Sequence, residues 1–105
     1  MLRRLGALLP LARYRIEGKS MLPTVSPGER VLVNKAAYWL RSPRPGDLVV
    51  VRDPRLPSRW LLKRLEAPSD DGWLVAGDNE DASTDSRAFG PVPRRLIAGK
   101  VWFRY

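Results

Sequence analysis

Alternation with a period of two, rather than a helical repeat, marks the apolar positions of this chain. Val31 and Val33 share one face of 30–34, and 48–51 is a β-branched run of the kind strands favour. Residues 15–17, 60–67, 73–76 and 100–105 also read as extended segments. Turn chemistry separates them: Ser26-Pro27-Gly28-Glu29, the Pro- and Gly-rich stretch 42–47, Asp53-Pro54 with Leu56-Pro57-Ser58, and 68–72. Pro23 biases Leu22 toward extended geometry, so no helix should run through 20–24. Residues 36–40 leave a helical turn and a strand continuation open, and 94–97 suits a single turn of helix. About six short strands at this spacing predict an all-β fold, a small, mainly antiparallel sheet or partly closed barrel. The exception is 77–93, a long polar loop of a length that is uncommon in compact domains and often functional.

The chain has 105 residues, enough for one core and one domain. That domain is expected over 14–105, preceded by a flexible basic and apolar arm over 1–13. The apolar part of the arm, 5–12, is interrupted by Pro10 and is far shorter than the roughly 20 residues a membrane span needs. With Arg3, Arg4 and Arg13 around it, the arm suits peripheral contact with a membrane surface. These features point to a cytoplasmic protein without a transmembrane anchor.

Two absences narrow the chemistry. With no Cys and no His, disulfides, thiolate nucleophiles, Cys/His zinc sites and Ser-His-Asp arrangements are all excluded. No cofactor and no metal are expected. A hydrolase built from this composition must take its base from a carboxylate or a lysine. The net charge of +8 suits an acidic partner, but the arginines are spread along the chain rather than gathered in a patch, so no nucleic-acid partner is expected.

Lys63 stands out. Period-two geometry puts it on one strand face with Leu61, Leu65 and Ala67, while Arg64 and Glu66 share the other with Trp60 and Leu62. A lysine among apolar side chains loses hydration and its pKa falls, as a lysine general base requires. The plain alternative is a lysine whose stem packs while its ammonium reaches water. Ser20, between a glycine and a proline turn, taken alone reads as an ordinary loop residue. Its interest comes from pairing: in a chain without histidine, Ser-Lys is one of few nucleophile–base couples left. In the acid- and hydroxyl-rich loop, Asp78 and Asn79 suit a tight turn, and Asp85 and Arg87 suit a tie that holds the loop down. Ser83 could orient the lysine amine. A calcium loop is excluded because Ala82 and Ser83 stand where a ligand oxygen and a turn glycine are needed.

Four segments resemble motifs of the signal peptidase I family, in family order. Ser20-Met21-Leu22-Pro23-Thr24 is similar to its nucleophile box. Arg44-Pro45-Gly46-Asp47-Leu48-Val49-Val50-Val51 is similar to its Arg-x-Gly-Asp-Val-Val box, and Lys63-Arg64 to its base motif. Gly77-Asp78-Asn79 through Ser83-Thr84-Asp85-Ser86-Arg87 is similar to its last box. The resemblance implies the partly closed barrel of that family with a long catalytic-site loop, Ser20 as nucleophile and Lys63 as general base. It further implies Ser83 bonded to the lysine, Asp85 and Arg87 as braces, and the Ser20 backbone N–H on the oxyanion. Met21, with Gly18 and Pro23 beside it, would line a substrate cleft that accepts an extended chain with small side chains before the cut. Gly18 stands where some members carry a hydroxyl for the oxyanion, and Ala82 replaces a frequent polar residue.

The small size, Phe89-Gly90-Pro91-Val92-Pro93 and the ending 99–105 resemble the nickel-type superoxide dismutase maturation proteases, which implies a precursor protein with an extended N-terminal segment as substrate. A general signal peptidase for secreted proteins is the alternative within the class. A self-cleaving repressor would need a DNA-binding domain and a cleavage site, neither apparent in this sequence. A basic all-β nucleic-acid-binding module is the alternative outside the class, and it leaves Ser20, Lys63 and the last box unexplained.

Overall fold

The computed structural model describes every residue except Leu9, Leu40 and Ser83. Its strands are β1 (Leu2–Leu8), β2 (Leu11–Ile16), β3 (Arg30–Asn34), β4 (Leu48–Asp53), β5 (Leu56–Ser69), β6 (Gly72–Ala76) and β7 (Ile97–Arg104). They pair antiparallel in the order β1-β2-β3-β7-β4-β5-β6, and a second pairing, Leu2 of β1 with Trp60 of β5, closes the first six into a barrel. Strand β6 continues the sheet outside that closure. The fold is all-β and antiparallel, as the alternation predicts.

Two apolar clusters share the β4–β5 ladder. Inside the barrel lie Ala12, Tyr14 and Ile16 of β2 and Val31 and Val33 of β3. They pack with Leu2, Val50, Leu62, Met21 and Val25. On the opposite face of β4 and β5, Val49, Val51, Leu61 and Leu65 pack against Trp73, Val75 and Val92. Burial on both faces explains why β4 reads as an unbroken apolar run rather than an alternating one. Each valine, leucine, isoleucine or methionine side chain so buried contributes about 1.5–3 kcal/mol.

Several expectations are corrected. Residues 1–13 do not form a separate arm: β1 and the start of β2 are barrel strands, and the boundary expected after residue 13 falls within β2. Leu2 and Ala12 are buried in the barrel, and Pro10 sits in the connection between two strands instead of interrupting one segment. Strand β5 begins at Leu56, through residues expected to be loop, and extends to Ser69. A bulge between Leu65 and Ala67 shifts its register, pairing Leu65 with Val75 but Ala67 with Leu74. Consecutive partners on β6 face opposite ways, so Ala67 leaves the face of Lys63 and Leu65. Residues 36–39 form turns, with Trp39 N donating to Ala36 O at 3.1 Å.

The segment 77–93 is more ordered than a plain loop. It holds a short 3₁₀ turn (Glu80–Ala82) and a one-turn helix α1 (Ser86–Phe89), and it returns to the sheet where Trp73 and Val92 exchange hydrogen bonds of 2.9 and 2.8 Å. Gly72 permits this close approach: its φ is +135°, and a Cβ there would lie 2.1 Å from the Val92 carbonyl oxygen.

Candidate active site

The outer face of β5 carries the site. Lys63 pairs with Val49 across the ladder and sits between Leu61 and Leu65 on the side away from the barrel interior. It is 3% exposed, so its ammonium does not reach bulk water along an extended stem. Burial strips its hydration and holds its pKa below the usual lysine range; Arg55 adds to the fall, while the Asp85 and Asp53 carboxylates oppose it.

Ser20 lies in the connection between β2 and β3, partly exposed. It lines, with Lys63, one cleft of about 170 Å³, whose other walls are Met1, Arg55, Arg59, Leu61, Ala82 and Thr84. The strand face and the turn after β2, far apart in sequence, thus meet at one opening. A larger hollow of about 430 Å³ on the outer side of β1–β3, lined by Gly6, Ala7, Leu8, Leu11, Arg13 and Leu32, holds no hydroxyl or acid.

The last motif ties the two halves together. Asn79 N donates to Ser20 O at 2.8 Å and Asn79 Nδ2 to Lys19 O at 3.0 Å, clamping the loop around Ser20 from both sides. Asp78 accepts from Thr24 Oγ1 at 2.6 Å and, in a fork, from Arg64 Nε and Nη2 at 3.0 and 2.8 Å. Arg64 also donates to Gly46 O at 2.9 Å. One carboxylate thereby joins the strand of Lys63 to the turn that follows Ser20. The Arg64 hydrogen bonds hold the Asp78 carboxyl below its usual pKa, with burial opposing.

Asp85 is buried at 2% exposure and caps α1, accepting from Arg87 N, Nε and Nη2 at 3.0, 3.0 and 3.1 Å. Burial disfavours its charge, but the Arg87 bonds outweigh that and its pKa is lowered. Ser86 Oγ accepts from Val75 N at 2.8 Å, fastening α1 to β6. The expected tie by Asp85 and Arg87 is therefore a local clamp on the helix start, and Asp78 and Asn79 do more than turn the chain.

Other sequence-derived site residues fall elsewhere. Met21 is 1% exposed and packs in the barrel cluster, beneath the turn that carries Ser20. Gly18 and Pro23 are exposed and outside the cleft lining; Gly18 adopts φ +111°, which a side chain there would strain. Ser83 lies outside the described residues. Sequence reasoning missed Arg55 and Arg59, because 56–58 read as loop and the β5 stripe was not extended backwards from Leu61. It also missed the partners of Asp78, since nothing local signals pairings that span 14 and 54 residues.

The family profile of "Signal peptidase, peptidase S26" matches residues 5–71 and 68–105. The chain is 35% identical to mitochondrial ATP-independent inner membrane protease subunit 1a of Arabidopsis thaliana, over 90% of this chain and 70% of the relative. It is 31% identical to human mitochondrial inner membrane protease subunit 1, over 83% of this chain and 64% of the relative. Against signal peptidase I of Leptolyngbya laminosa the identity is 27%, over 90% and 68%. The chain thus spans about two thirds of the length of these relatives.

Proposed function

Because the chain belongs to the signal peptidase family, peptidase S26, we propose that it is a serine endopeptidase in which Ser20 is the nucleophile and Lys63 the general base. The observation that carries this reading is the shared cleft: a hydroxyl on a clamped turn and a buried amine on the facing strand open onto one space. Lys63, neutral, takes the Ser20 hydroxyl proton as Oγ bonds the scissile carbonyl carbon. The oxyanion is held by the Ser20 backbone N–H. Lys63 then returns the proton to the departing amine, leaving an acyl ester on Ser20. Water, deprotonated by the same amine, attacks the ester and releases the acid with Ser20 restored. Ser83 keeps the orienting role implied by the motif, tested by Ser83→Ala, which should lower the rate without abolishing it.

The substrate is a precursor with an extended N-terminal segment, and within that class the precursor of a nickel-type superoxide dismutase. Processing of exported or membrane-directed precursors is the second reading, favoured by relatives named as signal peptidase I and as inner membrane protease subunits. The exposed outer face of β1 and the start of β2 would then lie against the membrane. Among the described residues no helix is long and apolar enough to cross one. Incubating the protein with each precursor and sequencing the new N-terminus separates the readings. Cleavage by the Ser20→Ala variant at the wild-type rate would overturn both.

A further inference from the structure

The cleft has a cationic wall that the chemistry of peptide cleavage does not itself require. Arg59, Leu61 and Lys63 alternate along β5 and all three line the opening. Two residues of extended chain advance about 7 Å. A peptide lying along this stripe with its scissile bond at Lys63 therefore meets Leu61 and then Arg59, about 13–14 Å away.

Arg55 is already committed. Its Nε and Nη2 donate to Asp53 at 3.1 and 2.9 Å, its backbone N donates at 2.9 Å, and its guanidinium lies 5.1 Å from the Phe89 ring centre. Asp53 is itself fully buried. Arg59 reaches the same carboxylate only at 3.8 Å, a contact of charge rather than a hydrogen bond, with 40% of its side chain exposed. One buried carboxylate thus faces two guanidinium groups, and the surplus positive charge lies on the solvent side of the cleft. The other buried acid near Lys63, Asp85, is held by Arg87.

The geometry points to Arg59 as a specificity-determining residue that selects substrates carrying an acidic side chain about four residues from the scissile bond. This rests on the peptidase reading and deepens it by naming the class of sequence the cleft prefers. Arg55 supports the selection by saturating Asp53, so that Arg59 stays available. Leu61, between Arg59 and Lys63, offers an apolar contact for the intervening substrate residue.

The test uses two sets of synthetic decapeptides that differ only in glutamate or glutamine, scanned through positions three to five on either side of the cut. The wild type should favour glutamate at one position by about three- to tenfold in kcat/KM, the range a partly exposed ion pair supports. The preference should shrink in high salt. Arg59→Gln should bring the glutamate-to-glutamine rate ratio close to one, and Arg59→Glu should invert it in favour of glutamine. Equal rates for all peptides in the wild type, or an equal loss on both kinds in Arg59→Gln, would overturn the inference and leave the peptidase reading standing. Fluorescence anisotropy with Ser20→Ala protein asks the same question without turnover. A glutamate preference in binding with no cleavage by the wild type would support the role of Arg59 and count against the function. Equal affinities would overturn the role of Arg59.

Discussion

Lys63 is costly to the fold and necessary to the proposed chemistry, and the two can be measured separately. Lys63→Ala and Lys63→Arg should both abolish cleavage, the second because a guanidinium stays protonated. Substantial turnover by either would remove the base. The rate of the wild type should rise with pH through the lowered lysine pKa and then level off, as the neutral amine becomes the main form. A flat kcat/KM profile from mildly acidic to alkaline pH would contradict this. The same shift predicts stability. Between the lowered folded pKa and the ordinary unfolded value, the unfolded chain binds the extra proton, so this residue's contribution to stability increases as pH rises through that window. Below the window its cost is at its largest. Lys63→Met should therefore raise the melting temperature at neutral pH while eliminating activity, read by calorimetry and peptide cleavage on one sample.

At the level of elements, the loop of the candidate site is held by two devices with different signatures. The Asp78 fork joins β5 to the turn after Ser20. Asp78→Asn weakens a charge-assisted pair and should cost about 1–2 kcal/mol in denaturant unfolding. It should also lower kcat, through displacement of Ser20 relative to Lys63. Its lowered pKa means that the wild-type contribution is present above the unfolded value and disappears as pH falls through the folded one, so the variant and wild type should converge in acid. The second device is the close pass of Val92 over Gly72. Gly72→Ala puts a methyl where a carbonyl oxygen sits, at a φ that L-residues avoid, and should destabilise by at least about 1–3 kcal/mol in thermal melts. An unchanged melting temperature would mean that the return of the loop is not rigid.

Across the whole molecule, what could be read from the chain was set by the range of the interactions. Strands β3, β4 and β6 were legible because the alternation of β3, the short apolar runs of β4 and β6 and the turn residues between them all act locally. The face of Lys63 was legible for the same reason as far as Leu65, and lost at Ala67, where a bulge that no residue pattern announces inserts an extra step. Barrel closure through Leu2 and Trp60 was illegible: the first strand looks like an arm until its partners are known. So was the Asp78 fork, whose two partners, Thr24 and Arg64, come from separate segments. The barrel interior also contains Tyr14, whose hydroxyl is buried and, among the described residues, has no hydrogen-bond partner, although its ring meets Trp60 edge-on at 5.4 Å. Tyr14→Phe should leave the melting temperature unchanged or raise it, because it removes a buried polar atom that gains nothing in return. A drop of several degrees would reveal a bond to that hydroxyl.

The β4–β5 ladder divides Leu62, which points into the barrel, from its neighbours Leu61 and Lys63, which point at the cleft. Saturation mutagenesis along 59–65 should therefore produce a comb. Positions 60 and 62 would report chiefly on soluble yield and positions 59 and 63 chiefly on turnover, whereas 61 would report on both and 65, buried in the outer cluster, on yield. Adaptation to a new precursor could then proceed on one set of teeth while the other keeps the scaffold intact, with no loop needing to change length.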